Sequence, residues 1–559
     1  MNQARRRKKV GLLLWCAMVI LIGVTVVHAA TEIDSTSTIA DSEKKTATEK
    51  SKATAPNFTV MEYQIEGNSV LPVMAIEQAV YPHLGEGKTI DDVEGARKSL
   101  EQTYQKAGYS TVFVDIPEQD VVNGVVRLRV IEGRVSRLSV TGSRYYSLGR
   151  IRAQVPALAA GSVPYLPAVQ QQVNAVNNVS ADRQITPVFR AGRTPGTVDV
   201  ELKVKDQPPW HASLEVNNRY SGNTSRTRAS GQLRYDNLWQ RGHSLSLQYQ
   251  TAPQKTDEVS VASVSYLLRA DNDDDLTALY AVRSRSDVAA VGDISVIGSG
   301  DIYGLRRIIP LPPGKQYFHS LSLGIDLKDF RENVVLQGAD SVETPIRYLS
   351  FSIAYNASLP GETASNQFSA SLNFSLRGLA DRKIDCLGQE VDQFECKRFN
   401  AHSNYFYLKG DYQRTQRLAQ GMSWIAKIGG QLADQPLISN EQFSAGGADS
   451  VRGYLESERL GDNGLQASLE WRSPSLGGEN TAGVQELLLL IFTDAAYLRV
   501  NHPLPEQQAR FNLMSAGSGV RFTAWKNWQG ELDWARAFKD GAVTKSGMDR
   551  LHFKLEYGF

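Results

Sequence analysis

At 559 residues the chain is too long for one ordinary core, and 61 basic against 60 acidic side chains give no basic excess of the kind that nucleic-acid binding requires. No Walker A sequence, zinc-spaced His/Cys cluster or Gly-x-Ser-x-Gly elbow occurs, so no catalytic, metal-binding or cofactor-binding residues are expected, and an enzyme is not the expected class. Beyond the N-terminal segment no apolar run reaches the length of a spanning helix; the longest, residues 487–492, is strand-sized. If the chain lies in a membrane it must form a closed barrel, which leaves no backbone group unpaired in lipid.

Arg5, Arg6, Arg7, Lys8 and Lys9 precede an apolar run from Val10 to Val27, and Val27-His28-Ala29 ends on a small residue. This is the pattern of a signal peptide over residues 1–29, although the run is nearly long enough for an uncleaved anchor. Residues 30–57, rich in Ser, Thr, Lys, Glu and Ala, read as a flexible leader. Of the three cysteines, Cys386 and Cys396 survive cleavage, and an exported pair this close suggests a disulfide.

Residues 58–132 read as strand, helix, helix, strand, strand. Val60, Tyr63 and Ile65 form a first strand that ends at Gly67. Thr89 can cap a helix whose apolar face is Val93, Ala96, Leu100, Tyr104 and Ala107. The order recurs over 133–207, where Val135, Leu138 and Val140 lead to Gly142. Leu166, Val169, Val173 and Val176 line a helix, and Val198, Val200, Leu202 and Val204 give a last strand.

From residue 208 to 559 the pattern changes to period two. Leu245, Leu247 and Tyr249 alternate with Ser244, Ser246 and Gln248; Leu551, Phe553, Leu555 and Tyr557 alternate with His552, Lys554 and Glu556. A soluble sandwich also alternates, but runs of about ten residues match tilted membrane strands, whereas soluble strands centre on about five or six. The chain ends on an aromatic, Phe559, within a strand, as barrel proteins do. The expected fold class is therefore membrane all-β: a sixteen-stranded barrel behind two βααββ domains. With a periplasmic start, short connections such as Pro312-Pro313-Gly314-Lys315 fall inside, and the longest, 378–401 and 433–462, fall outside. The tenth strand is placed at 402–413. Asp271, Asp273 and Asp275 have calcium-loop spacing, but Leu276 stands where such a loop needs Gly, so a solvated turn is expected.

The second long outer loop carries Phe443-Ser444-Ala445-Gly446-Gly447-Ala448-Asp449-Ser450-Val451-Arg452-Gly453-Tyr454. Val451-Arg452-Gly453-Tyr454 resembles the signature of two-partner secretion transporters (TpsB type), which belong to a wider superfamily of barrel-assembly proteins. The resemblance implies that the loop folds back into the barrel and that Arg452 reaches an acidic wall residue. Phe492-Thr493-Asp494-Ala495-Ala496 resembles the matching wall element, with Ala496 where the family has Gly, and makes Asp494 the expected partner. Gly517-Ser518-Gly519-Val520-Arg521-Phe522 resembles a third element, with Arg521 expected to face the lumen. Asp494 shares its face with Leu488, Leu490 and Phe492, so alternation alone does not orient that strand.

By the same resemblance the βααββ units look like polypeptide-transport-associated (POTRA) domains, and residues 177–187 resemble the secretion-type second unit. Family members often carry a plug helix before them, yet residues 30–57 lack the apolar pattern of a stable helix. The implied function is export of a secreted exoprotein (adhesin, haemolysin or toxin) across the outer membrane of a Gram-negative bacterium, without nucleotide. The implied partners are that exoprotein, outer-membrane lipid, and a barrel assembly machinery for insertion, with Phe559 as its C-terminal signal; nucleic acid is not among them. An assembly factor that inserts other barrels is the alternative of another class.

Overall fold

The computed structural model describes residues 57–559, apart from 223, 271–274, 287, 292–293, 315, 336–340, 381, 387 and 479–482. The signal peptide, the leader up to residue 56, Asp271, Asp273 and Lys315 thus lie outside the described residues. Asp275 is described, and its carboxylate accepts from Arg307 Nη2 at 2.5 Å.

In the first unit Val125–Glu132 is the central strand, parallel to Glu62–Glu66 and antiparallel to Val112–Asp115. Helices Val73–Val80 and Ile90–Lys106 join these strands in one core. Val93, Ala96, Leu100 and Tyr104 recur at helical spacing, and all four are buried beside Val126, Leu128 and Val130. At the N-terminus of the longer helix the Thr89 amide donates to Asp92 at 2.8 Å. That bond, with the Thr89 hydroxyl, holds the Asp92 carboxyl below its ordinary range. The expected single first strand is instead two. Phe58–Val60 pairs with Gly85–Lys88, and the chain turns at Met61, whose N–H bonds to the Gly124 carbonyl at 2.8 Å.

The second unit repeats the plan, with Thr197–Asp206 between parallel Arg134–Thr141 and antiparallel Arg183–Ala191. Helices Leu148–Ala153 and Leu166–Val179 cover this sheet. The repeat extends to a backbone detail. Gly67 and Gly142 adopt φ of +88° and +85°, and a Cβ on either would sit 2.4 Å from a carbonyl oxygen, of Val130 and Val204 respectively. Only glycine fits that turn without strain.

From Trp210 onward sixteen strands close into one antiparallel barrel, with Trp210–Asn217 bonded both to Arg228–Leu238 and to Asp549–Gly558. Closure satisfies the backbone that a membrane leaves without water. Among the described residues no helix is long and apolar enough to cross a membrane. Leu247, Ile325, Leu469 and Leu551 stand exposed on the outer surface, and their sequence neighbours turn inward. At 18 and 20 residues the Phe318–Val335 and Ser341–Pro360 strands run well past the roughly ten residues expected of a membrane strand.

Three features of the outer side differ from expectation or add to it. The tenth strand is Phe406–Arg417, four residues later than 402–413 at both ends. Its displaced start belongs to a folded cap over 377–405, in which Phe394 is buried against Tyr348 and Tyr405, with ring centroids 5.2 and 6.1 Å away. Within the cap a hairpin of Lys383–Cys386 and Gln389–Asp392 is tied by the Cys386–Cys396 disulfide to the short helix Gln393–Lys397. A second small hairpin, Val288–Val291 with Ile294–Ile297, was not anticipated. An epitope tag placed between Cys386 and Cys396 should be reached by antibody on intact cells. Both cysteines should resist thiol labelling in unreduced protein; labelling of both, or a tag reached only after permeabilisation, would contradict the assigned topology.

Candidate functional site: an outer loop locked inside the barrel

The long connection between strands Ser423–Ala433 and Asn463–Arg472 turns back into the lumen. Its limbs pair as Phe443–Ala445 with Arg459–Gly461, and Val451 to Tyr454 lie beyond that pairing. Phe443, Ala445, Val451 and Tyr454 pack on Ala496, Leu498, Leu513 and Ala537 of the wall. This contact settles the orientation that alternation left open. The face of Val484–Arg499 that carries Leu490, Phe492, Asp494, Ala496 and Leu498 points inward; the loop covers Phe492, Ala496 and Leu498, and Leu490 packs with Phe492 and Ala535 of the wall.

Arg452 and Asp494 are brought together in the same buried place, 5 % and 1 % exposed. Arg452 donates from Nε and Nη2 to the two carboxylate oxygens of Asp494 at 2.8 and 3.0 Å, and its amide adds a third bond at 3.1 Å. This is a two-pronged, charge-assisted pair. The guanidinium carbon lies 3.3 Å from the centre of the Phe492 ring, which stacks beneath it.

Sequence reasoning named one acidic partner; the structure supplies more. Arg452 Nη1 donates to Glu470 at 2.6 Å, and Ser468 Oγ donates to Asp494 at 2.6 Å. Asp533 stands 3.7 Å from Arg452 and takes two bonds from Arg521, at 2.6 and 2.7 Å. Arg521 therefore faces the lumen but holds the wall, not the loop. The Gly453 amide donates to His552 Nε2 at 2.9 Å, and the Tyr454 hydroxyl reaches the carbonyls of Met514 and Lys539 at 3.0 and 2.7 Å. Strand phase turns these side chains inward, although it does not single them out as partners of the loop. Once Leu465, Ala467, Leu469 and Trp471 are set towards lipid, Ser468 and Glu470 must point inward, and the same logic turns His552 inward from Leu551 and Phe553.

The wall glycines make room for this cluster. A Cβ on Gly519 would lie 1.9 Å from Asp533 Oδ1, and one on Gly517 would meet the Phe492 ring at 2.6 Å. Ala496, where the resembled element has Gly, is accommodated as part of the apolar contact with the loop. Phe559 closes the chain beside the seam, and its amide donates to Ala212 O at 2.9 Å.

Further anchors tie down the loop's ends. Glu441 accepts from Lys328 Nζ and Tyr348 OH at 2.5 Å and from Tyr407 OH at 2.9 Å. Asp462 accepts from both Nη atoms of Arg398, in the outer cap, at 2.5 and 2.7 Å. Outside the loop, Asp182, His211 and Asp236 gather three ligand-type atoms within 4.8 Å. Their bonding is met by protein: His211 Nε2 and Gln207 Nε2 reach Asp182 at 2.9 and 2.8 Å, and Arg234 Nε reaches Asp236 at 3.0 Å.

With this geometry established, comparison with known proteins is informative. The family described as haemolysin secretion/activation protein ShlB/FhaC/HecB matches residues 196–522, and the ShlB-type POTRA domain matches 58–133. The outer membrane transporter CdiB of Dickeya dadantii (strain 3937) is 21 % identical over 452 residues, covering 76 % of this chain and 74 % of that protein. The heme/hemopexin transporter protein HuxB of Haemophilus influenzae is 20 % identical, covering 70 % and 67 %. Among solved structures, CdiB from Escherichia coli superposes with a TM-score of 0.61 at 17 % identity, covering 92 % of this chain and 93 % of that one. BamA from Haemophilus ducreyi lacking POTRA domains 1–3 gives 0.55 at 14 % identity, over 90 % and 100 %, a likeness of fold alone. The matched family covers more than half of the sequence, and the chain belongs to it: an outer-membrane transporter of the ShlB/FhaC/HecB haemolysin secretion/activation type, with POTRA units in the periplasm.

Proposed function

We propose that this transporter captures one unfolded exoprotein in the periplasm and passes it through the barrel to the cell surface, without nucleotide and without catalysing a reaction. The observation that carries the reading is the loop held in the lumen by Arg452, Asp494 and Glu470, which makes the interior a guarded passage. Glu62–Glu66 and Arg183–Ala191 are edge strands of their three-stranded sheets; on the second the Asn177 side chain takes the Ile185 N–H and carbonyl, so it is the stretch past Pro187 to which an extended cargo segment can add by backbone hydrogen bonds. Folding outside, where the cargo buries its own apolar surface, supplies the direction. Insertion of the chain itself falls to a barrel assembly machinery that reads the terminal strand ending at Phe559, and the exposed apolar belt then meets lipid.

In liposomes with the POTRA units outward, and with no nucleotide present, an added unfolded exoprotein should become protected from external protease. Protection that appears only with ATP would overturn the energetic part of this reading. Insertion of other barrel proteins into the same liposomes, with no exoprotein protected, would favour the assembly-factor alternative.

A further inference from the structure

Two cavities meet beneath the loop. One, of about 1020 Å³, lies between the second POTRA unit and the inner wall of the early barrel strands, reaching from Tyr146 and Gly149 to Gln232, Ser246 and Ser265. The other, of about 610 Å³, continues from Gln232 past Gln248 and Gln250 to Ser444, Gly446 and Ser450 of the loop. Gln232 lines both, and its amide reaches Ser246 Oγ at 3.3 Å. A third cavity of about 640 Å³, across the lumen beside Ser358 and Ser369, is lined by no residue of the POTRA units.

We propose that the wall formed by Gln232, Ser246 and Gln248 is the track along which the exoprotein enters, as an extended segment, from the second POTRA unit to the loop. The inference rests on the export reading and adds the route. Charged groups line both cavities, among them Arg150, Arg234 and Asp236 in the first and Glu215, Arg219, Lys328 and Lys409 in the second, whereas Gln232, Ser246 and Gln248, where the two meet, are amides and a hydroxyl. Each of these side chains both donates and accepts, so it can replace water around a passing backbone. None carries a charge that would hold a cargo side chain of the opposite sign. Conduction needs attraction strong enough to admit and weak enough to release, which an uncharged polar junction between the two charged cavities provides. The strands behind it are fully paired to their neighbours, so their backbone offers no edge on which a cargo strand could lodge.

The test is crosslinking of a stalled substrate. The exoprotein is arrested by a fused, tightly folded domain, with a photoreactive residue at Ser246, Gln248, Leu247 or Ser369. Adducts are expected from Ser246 and Gln248. Leu247, which faces lipid, and Ser369, in the far cavity, should give no more than about a tenth of that yield. Adducts from Ser369 with Ser246 silent would overturn the track while leaving export intact. Absence of adducts everywhere, together with no secretion by the unmodified protein, would sink the export reading itself. A second variant guards against ambiguity: Gln232→Trp should fill the junction and lower export about tenfold or more, with the barrel still heat-modifiable. Leu233→Trp, on the lipid side, should export normally. Normal export by Gln232→Trp would contradict the route.

Discussion

Arg452→Ala should release the loop from the lumen wall and sharply reduce export, while the barrel stays folded because its strand pairing is untouched. The change strands Asp494 and Glu470, both of which are nearly excluded from water. Removing one partner of a buried pair costs about 3–5 kcal/mol, less where lumen water screens the remaining charge. Asp494→Ala should do similar but smaller damage, because Glu470 still holds Nη1 at 2.6 Å. Arg452→Lys should restore little. It keeps the charge but cannot span the two Asp494 oxygens and Glu470 at once, nor stack its plane on Phe492. In a double-mutant cycle measured by export, Arg452→Ala and Asp494→Ala should be non-additive. Simple addition of the two losses would show that the pair does not act as a unit.

Deleting residues 134–206 should leave an inserted, heat-modifiable barrel and abolish export. Barrel closure runs between Trp210–Asn217 and Asp549–Gly558 and uses no residue of that unit. What the deletion removes is the edge strand proposed to bind cargo and one wall of the cavity that leads to Gln232. Secretion should fall to background by immunoblot of culture medium, with the barrel present at its usual level in the outer membrane. Normal secretion would defeat the capture step.

How much of this was legible in advance depends on which force sets each feature. Period-two alternation is imposed by lipid on one side and the lumen on the other, so runs such as Leu245 to Tyr249 read directly as strands. The repeat ending in Gly67 and Gly142 was visible because one turn demands one residue type twice. Features set by packing inside the barrel were not legible in the same way. The face of Leu490, Phe492 and Leu498 looks lipid-directed by composition, and the loop packed on Phe492 and Leu498 explains its inward course. The cap over 377–405 is held by Phe394 among tyrosines and by Arg398 on Asp462, contacts between residues far apart in the chain. Glu470 and Asp533 sit on strands whose phase was readable, but nothing local distinguishes a lock residue from any other lumen carboxylate.

Whether this chain serves one exported protein or barrel assembly in general is decided by quantitative proteomics of a strain lacking it, with the culture medium and the outer membrane measured together. One large extracellular protein should disappear from the medium and return with the intact gene, while other barrel proteins stay at wild-type levels. A broad fall in outer-membrane barrel proteins, with no single extracellular protein lost, would contradict the export reading.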